Sequence, residues 1–340
     1  MKLWSWSKKA GVLIALSGVL MVLLVVGYYL SAISKPLDFG DEAFLISRGE
    51  SLSAIANRLV EDKIIEEPYT LKLYARLNAL GTRIKAGEYK FPQGISLADF
   101  VDRLVSGKGQ IGIRITFIEG WTFKQMRETI HTAPKLKITT SGWSDQQIMQ
   151  AIGHSGLHPE GQFYPDTYYY RRGDDDLSIY KKVFLLMQDQ LDAVWENRQS
   201  NLQIKTRYEA LILASIIEKE TWIRDEKPLI SGVFSNRLKV GMRLQADPTV
   251  IYGAGAKYKG KITYKHLMTD TPYNTYTRYG LPPTPISLPG YDSLEAAVNP
   301  EKTKSFYFVA IGKGRHKFSA TLKEHNAAVR KYIARKKNRG

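Results

Sequence analysis

Cysteine is absent from the 340 residues, which excludes disulfides and thiol chemistry and fits either side of a bacterial inner membrane. Histidine is scarce: there are six, and only His154 and His158 stand four apart, among Gly153, Gly156 and Pro159, with no HExxH anywhere. That argues against zinc, and neither a metal nor a cofactor is expected. No Gly-x-Ser-x-Gly elbow and no phosphate-binding glycine loop occur, which weakens serine-hydrolase and nucleotidase readings. Acidic residues are the scarcer charge, 33 against 49 Lys plus Arg, for a formal net charge of +16. Such an excess suits an anionic partner: nucleic acid, an acidic membrane face, or a polymer bearing carboxylates. None of the usual nucleic-acid-reading motifs is present, so no nucleic-acid partner is expected.

Charge itself is missing from Ala10 to Leu30. At 1.5 Å per residue such a run crosses a hydrocarbon core of roughly 30 Å. Lys2, Lys8 and Lys9 precede it, so the N-terminus stays cytoplasmic, and Trp4, Trp6, Tyr28 and Tyr29 suit the two interfaces. The run is long for a signal peptide, and no clean small-x-small cleavage site follows. The expected order is a cytoplasmic segment at 1–9, a transmembrane anchor at 10–32, a small module at 42–107 and a larger domain at 110–335. The overall class is α+β. The protein is expected in the bacterial inner membrane as a single-pass protein, with its larger domain in the periplasm.

After Ser34-Lys35-Pro36, the pattern predicts a strand at Ala43 to Ser47. It then predicts a helix capped by Ser51, with Leu52, Ile55, Ala56 and Leu59 on one face. A helix over Tyr69 to Leu77, a strand over Gly87 to Phe91 and a helix capped by Ser96 follow. FLISRGESLSAIANRL resembles the opening of a LysM carbohydrate-binding module. Ser106-Gly107-Lys108-Gly109 marks a boundary, and Ile111 to Phe117 alternates as a strand. Helices are predicted at Ser144 to Gly153, Leu177 to Asn197, Lys205 to Thr221 and Leu229 to Leu238. From Gly241 to Gly290 the chain reads as loops and short strands around a site.

Chemistry concentrates at ASIIEKET, Ala214 to Thr221. Helical spacing puts Glu218 on a stripe with Leu211, Ala214 and Ser215, and Glu220 on one with Leu213, Ile216 and Ile217. Small neighbours leave room beside Glu218; bulky aliphatics beside Glu220 suggest packing. A carboxyl against apolar surface can hold a proton near neutral pH and act as a general acid. Periodicity alone does not choose between the two. Gln245 and Asp247 project from GMRLQADPTVIYG, and PYNTYTRYGLPPTPISLPG interleaves Tyr273, Tyr276 and Tyr279 with Asn274 and Thr275. EGQFYPDTYYY, with Tyr164 and Asp166, has the same character. Flat aromatics among amides and hydroxyls suit a sugar-binding groove.

Taken in order, EGQFYPDT, ASIIEKET, NRLKVGMRLQADPTVIYG, PYNTYTRYGLPP and HKFSATLKEHN resemble the YceG-like family of endolytic murein transglycosylases, the MltG type. Gln162 departs from the aromatic expected there, which would alter a groove contact. The resemblance implies a lyase that cuts the β-1,4 bond between N-acetylmuramic acid and N-acetylglucosamine in nascent peptidoglycan, leaving 1,6-anhydro ends and limiting strand length. It implies Glu218 as the acid, and Gln245, Asp247, Asn274, Tyr276, Tyr164 and Asp166 as substrate-binding residues. The implied partners are glycan strands and penicillin-binding-protein synthases. A true muramidase pairing Glu218 with Asp247 or Asp166, a non-catalytic wall-binding scaffold, and a binder of acidic lipid stand as alternatives.

Overall fold

A computed structural model describes residues 2–80 and 83–337. The side chains of Lys2, Trp4, Trp6, Lys8 and Lys9, expected to flank the apolar run, fall outside the description, as do those of residues 335–340. The chain divides into two compact units, one of residues up to 113 with 171–173 and one of 114–170 with 174 onward.

The first unit begins with α1 (Lys2–Ser34), whose stretch Gly11–Ser34 is long and apolar enough to cross a membrane. β1 (Pro36–Leu37) pairs antiparallel with β4 (Ile95–Ser96), and β2 (Phe44–Ile46) with β3 (Gly87–Tyr89). Between β2 and β3 run α2 (Leu52–Glu61) and α3 (Tyr69–Leu77), and α4 (Leu97–Ser106) closes the unit. Ser51 caps α2 by accepting from the Ala54 N–H, and Ser96 caps α4 by accepting from the Asp99 N–H, each satisfying a donor the helix cannot. The stripes expected on those helices, Leu52, Ile55, Ala56 and Leu59 and then Leu97, Phe100, Val101 and Leu104, form one core with Ile46, Tyr89 and Phe91.

The second unit is mostly helical. β5 (Ile113–Thr116) pairs with β6 (Thr167–Tyr170). Between them stand α5 (Phe123–His131) and α6 (Asp145–Ala151), each opened by a reciprocal capping box. α7 (Asp176–Glu196) leads to α8 (Arg207–Glu220), then to α9 (Lys227–Lys239). The stretch expected to hold loops and short strands forms α10 (Asp247–Ala254), α11 (Tyr264–Met268) and long loops, with no strand among its described residues. Pro248 explains α10: its fixed φ suits a first helical turn, where its missing N–H costs nothing. α12 (Tyr291–Val298), the hairpin β7 (Tyr307–Gly312) and β8 (Arg315–Ser319), and α13 (Leu322–Lys337) complete the unit.

α8 is the axis of this unit. Thr206 and Glu209 form its capping box, and every residue from Ala210 to Ile217 is buried. A helix apolar on all sides must be surrounded, and α7, α9, α10 and α12 surround it. Its far end delivers two glutamates to the surface of the core.

Candidate active site

Small residues on one face of α8 admit backbone rather than ligand. The Ser215 hydroxyl donates to the Ile212 carbonyl at 2.7 Å and accepts from the Ile286 N–H at 3.0 Å, while the Ser287 hydroxyl donates to the Ser215 carbonyl at 3.0 Å. Residues 286–290 are thereby laid along the stripe that leads to Glu218. The Glu218 side chain is 5% exposed. Its carboxylate accepts from Lys227 Nζ at 3.1 Å, from the Gly290 N–H at 3.0 Å and from Ser293 Oγ at 2.7 Å. Lys227 is itself buried, so Glu218 and Lys227 make a desolvated ion pair between α8 and α9. The room expected beside Glu218 is therefore filled: Ser293, Gly290 and Lys227 occupy it and use its oxygens.

Gly290 also separates Glu218 from a third acid. A Cβ on Gly290 would meet Glu119 Oε1 at 1.9 Å, so only glycine lets Glu119 come this close. Burial first, and the Glu218 charge second, raise the Glu119 carboxyl above the usual range, with Lys227 opposing.

Glu220 meets different surroundings. It is half-buried, and its carboxyl takes part in none of the hydrogen bonds of the described residues. Burial pushes it up to about 8; the negative charge of Asp247 adds to the rise, and the Arg237 guanidinium opposes it. Asp247 opens α10, is exposed, and accepts a hydrogen bond from the Tyr276 hydroxyl at 2.5 Å. Burial first, then this bond to Asp247, push the Tyr276 phenol above its ordinary value. Beneath them Arg237 is buried, donating to the carbonyls of Phe306 and Leu244. Gln245 is exposed beside Asp247 in the left-handed region, φ 49°, a conformation that costs a non-glycine residue about 1 kcal/mol. Its N–H to the Thr275 carbonyl, at 3.1 Å, helps hold it there.

The remaining expected groove residues divide. Asn274 is 1% exposed. Its amide nitrogen donates to the carbonyls of His266, Leu267 and Thr269, and its oxygen accepts from the Tyr276 N–H at 2.8 Å. It organises the loop that aims Tyr276 and has no free group for a ligand. Tyr164 is half-buried against the core and stands with Asp166, Glu119 and Asp292, whose charges reinforce the effect of burial in raising its phenol. Asp166 is exposed, with its side chain accepting from the Thr167 N–H at 2.6 Å. Gln162 is buried, its oxygen accepting from Gln188 at 3.2 Å, so it packs inside the unit rather than in a groove. The structure thus groups Glu220, Asp247, Tyr276 and Gln245, and groups Tyr164 and Asp166 around Glu119. Arg237 and Glu119 are additions; an acid extending the alternation of Ile111 to Phe117 was the signal available for Glu119, and helical spacing from Val233 and Phe234 was the one available for Arg237.

The arrangement supplies a carboxyl held protonated up to about 8 beside a second carboxyl, that of Asp247, whose negative charge helps raise it. Environments that separate two acids in this way make one a proton donor and the other an electrostatic partner.

Known proteins resemble this chain. The model of the YceG-like family matches residues 44–331. An endolytic murein transglycosylase of Bacillus subtilis is 33% identical over 307 residues, covering 86% of this chain and 84% of that protein. One from Streptococcus pneumoniae is 25% identical over 339 residues, covering 89% of this chain and 61% of that longer protein. A crystal structure of a YceG-like protein from Listeria monocytogenes superposes with a TM-score of 0.53 at 32% identity, covering 84% of this chain and 98% of the other. On these grounds the chain belongs to the YceG-like family.

Proposed function

We propose that the protein is an endolytic peptidoglycan transglycosylase, a lyase that cuts the bond between N-acetylmuramic acid and N-acetylglucosamine within strands, and that Glu220 rather than Glu218 is its acid. The observation that carries the assignment is the contrast between them. Glu220 is held up to about 8 with no hydrogen bond taken by its carboxyl among the described residues, whereas three donors occupy Glu218.

Protonated Glu220 donates to the glycosidic oxygen as the C1–O bond breaks. The resulting carboxylate then accepts the proton of the sugar's own C6 hydroxyl, whose oxygen closes on C1 to form the 1,6-anhydro ring. No water enters, so one proton-shuttling carboxyl suffices where a hydrolase on the usual plan needs two working carboxyls. Asp247, oriented by the Tyr276 hydroxyl, is the charge that stabilises the oxocarbenium-like transition state. Gln245 offers an exposed amide to the sugar, and Asn274 acts indirectly, through the loop that carries Tyr276.

The test is mass spectrometry of muropeptides released from purified sacculi by wild type, Glu220→Gln and Glu218→Gln. Anhydro ends from wild type and Glu218→Gln but not from Glu220→Gln are expected. Products heavier by one water would make the enzyme a hydrolase. Loss in Glu218→Gln alone, with its fold intact, would return the role to that residue.

The same reading covers the rest of the chain. We read α1 as an uncleaved inner-membrane anchor with the remainder periplasmic, supported by its length and apolarity. Residues 42–107 are read as a LysM-like glycan-binding module and 110–335 as the catalytic domain. Support for the module is the passage from β2 through Arg48-Gly49-Glu50-Ser51 into a Ser51-capped helix. A synthase of the penicillin-binding class is the partner this reading names, and crosslinking in intact cells tests it.

A further inference from the structure

Thr221 ends α8 in extended backbone, and the next side chain, Trp222, stands out of the core with 74% of its surface exposed. Only Thr221 separates it from Glu220, so the two Cα atoms are within about 7 Å of each other. The indole has a built bed. A Cβ on Gly314 would meet its Nε1, Cε2 and Cζ2 at 2.7 to 2.8 Å. Three contiguous ring atoms at nearly equal distance lay the Nε1–Cζ2 side of the indole against the bare backbone of Gly314. That glycine is at the tip of the β7–β8 hairpin, where Gly312, Lys313 and Gly314 have successive positive φ values of 99°, 55° and 74°. The hairpin is tied to the segment just after Trp222. The His316 N–H and ring both bond the Glu226 carboxylate, at 3.0 and 2.8 Å, and Arg315 pairs with Asp225 at 3.2 Å. The ring is therefore braced along one side and open over the rest of its surface, beside the end of the helix that carries Glu220.

We propose that the open face of Trp222 is a sugar-stacking subsite, taking the apolar C–H face of an N-acetylhexosamine ring of the strand next to the bond held at Glu220. A flat aromatic fixed in advance binds without ordering cost, and a pyranose ring presents a flat hydrocarbon face of matching size. The identity of the ligand as glycan rests on the transglycosylase reading above. Trp222 is a binding and positioning residue and takes no part in proton transfer.

The experiment uses the full-length protein in detergent and un-cross-linked glycan strands as the probe. Binding is read by co-sedimentation in a Glu220→Gln background, and turnover is read in the active enzyme. Trp222→Ala is expected to weaken binding about ten-fold and to raise KM by a similar factor, with kcat close to wild type. Trp222→Phe, which keeps a stacking face, should regain most of both. Unchanged binding in Trp222→Ala overturns the proposal. So does equal loss in the Ala and Phe variants with a matching fall in Tm, because that is the signature of a residue that only braces the hairpin. If wild type yields no anhydro ends while Trp222→Ala still loses strand binding, the lytic reading fails and the subsite stands. Turnover of strands by wild type with Trp222→Ala indistinguishable from it fails the subsite alone.

Discussion

Glu218 and Glu220 differ by two positions on one helix, about 200° of rotation, and that rotation decides their chemistry. One side of α8 meets Lys227, Ser293 and Gly290; the other meets Asp247 and the underlying Arg237. Removing the charge from Glu218 leaves Lys227 buried and unpaired, so Glu218→Gln should lose about 3 kcal/mol or more of stability, read as a lower denaturation midpoint in urea. Glu220→Gln should lose activity without that loss. With Glu220 raised to about 8, the working form is protonated, so kcat/KM should hold across neutral pH and fall as pH rises through about 8. Glu160 gives a separate pH signature. It is 4% exposed, accepts from the Phe123 N–H at 2.8 Å and the Tyr252 hydroxyl at 3.0 Å, and burial raises it to about 7. A folded value above the unfolded one means the folded state binds the extra proton between pH 4.5 and 7. Stability is then full below about 4.5 and lost as pH rises through 7, by about 3 kcal/mol at most. Thermal scans at pH 5 and pH 8 should show that slope in wild type and a flatter one in Glu160→Gln.

At the scale of the element, local chemistry is what the chain declares openly. Caps at Ser51 and Ser96, and the helices over Tyr69–Leu77 and Leu97–Ser106, are legible because their causes sit within four residues of each other. The choice between the glutamates is not, because its cause is residues 286–293, some seventy positions away. Small residues at Ala214 and Ser215 signal a close approach without saying whether ligand or chain makes it. The hairpin β7–β8 likewise follows no strict alternation and depends on Glu226 for its tether. Close approach recurs on α9. A Cβ on Gly232 would meet the Glu301 carbonyl oxygen at 2.2 Å, where residues 301–305 pass and Asn236 donates to the carbonyls of Thr303 and Ser305. Gly232→Ala should therefore push that segment away and destabilise by about 2 kcal/mol, despite the better helix propensity of alanine. Circular dichroism melts of the variant check this.

Over the whole molecule the surplus of +16 charges has a use in a wall enzyme. Lactyl and stem-peptide carboxylates make the strand anionic, and a basic protein is drawn to it over about a Debye length. Raising salt from 50 to 500 mM should weaken sacculus binding severalfold while leaving kcat on bound strands unaltered; salt-independent binding would remove charge from the account. Read as an anchor, the apolar helix that ends at Ser34 would confine such an enzyme to strands close to the membrane. The helix at the centre of the second unit carries one more consequence. Its amides from Ala210 to Ile217 are enclosed on every side, so they should exchange with deuterium only when the whole unit opens, while those a few residues beyond Glu220 exchange by local fluctuation. Glu220, the acid of the proposed reaction, then stands at a sharp step in protection, on the last turn of the most protected segment, so that the proposed proton transfer would take place on backbone that does not move.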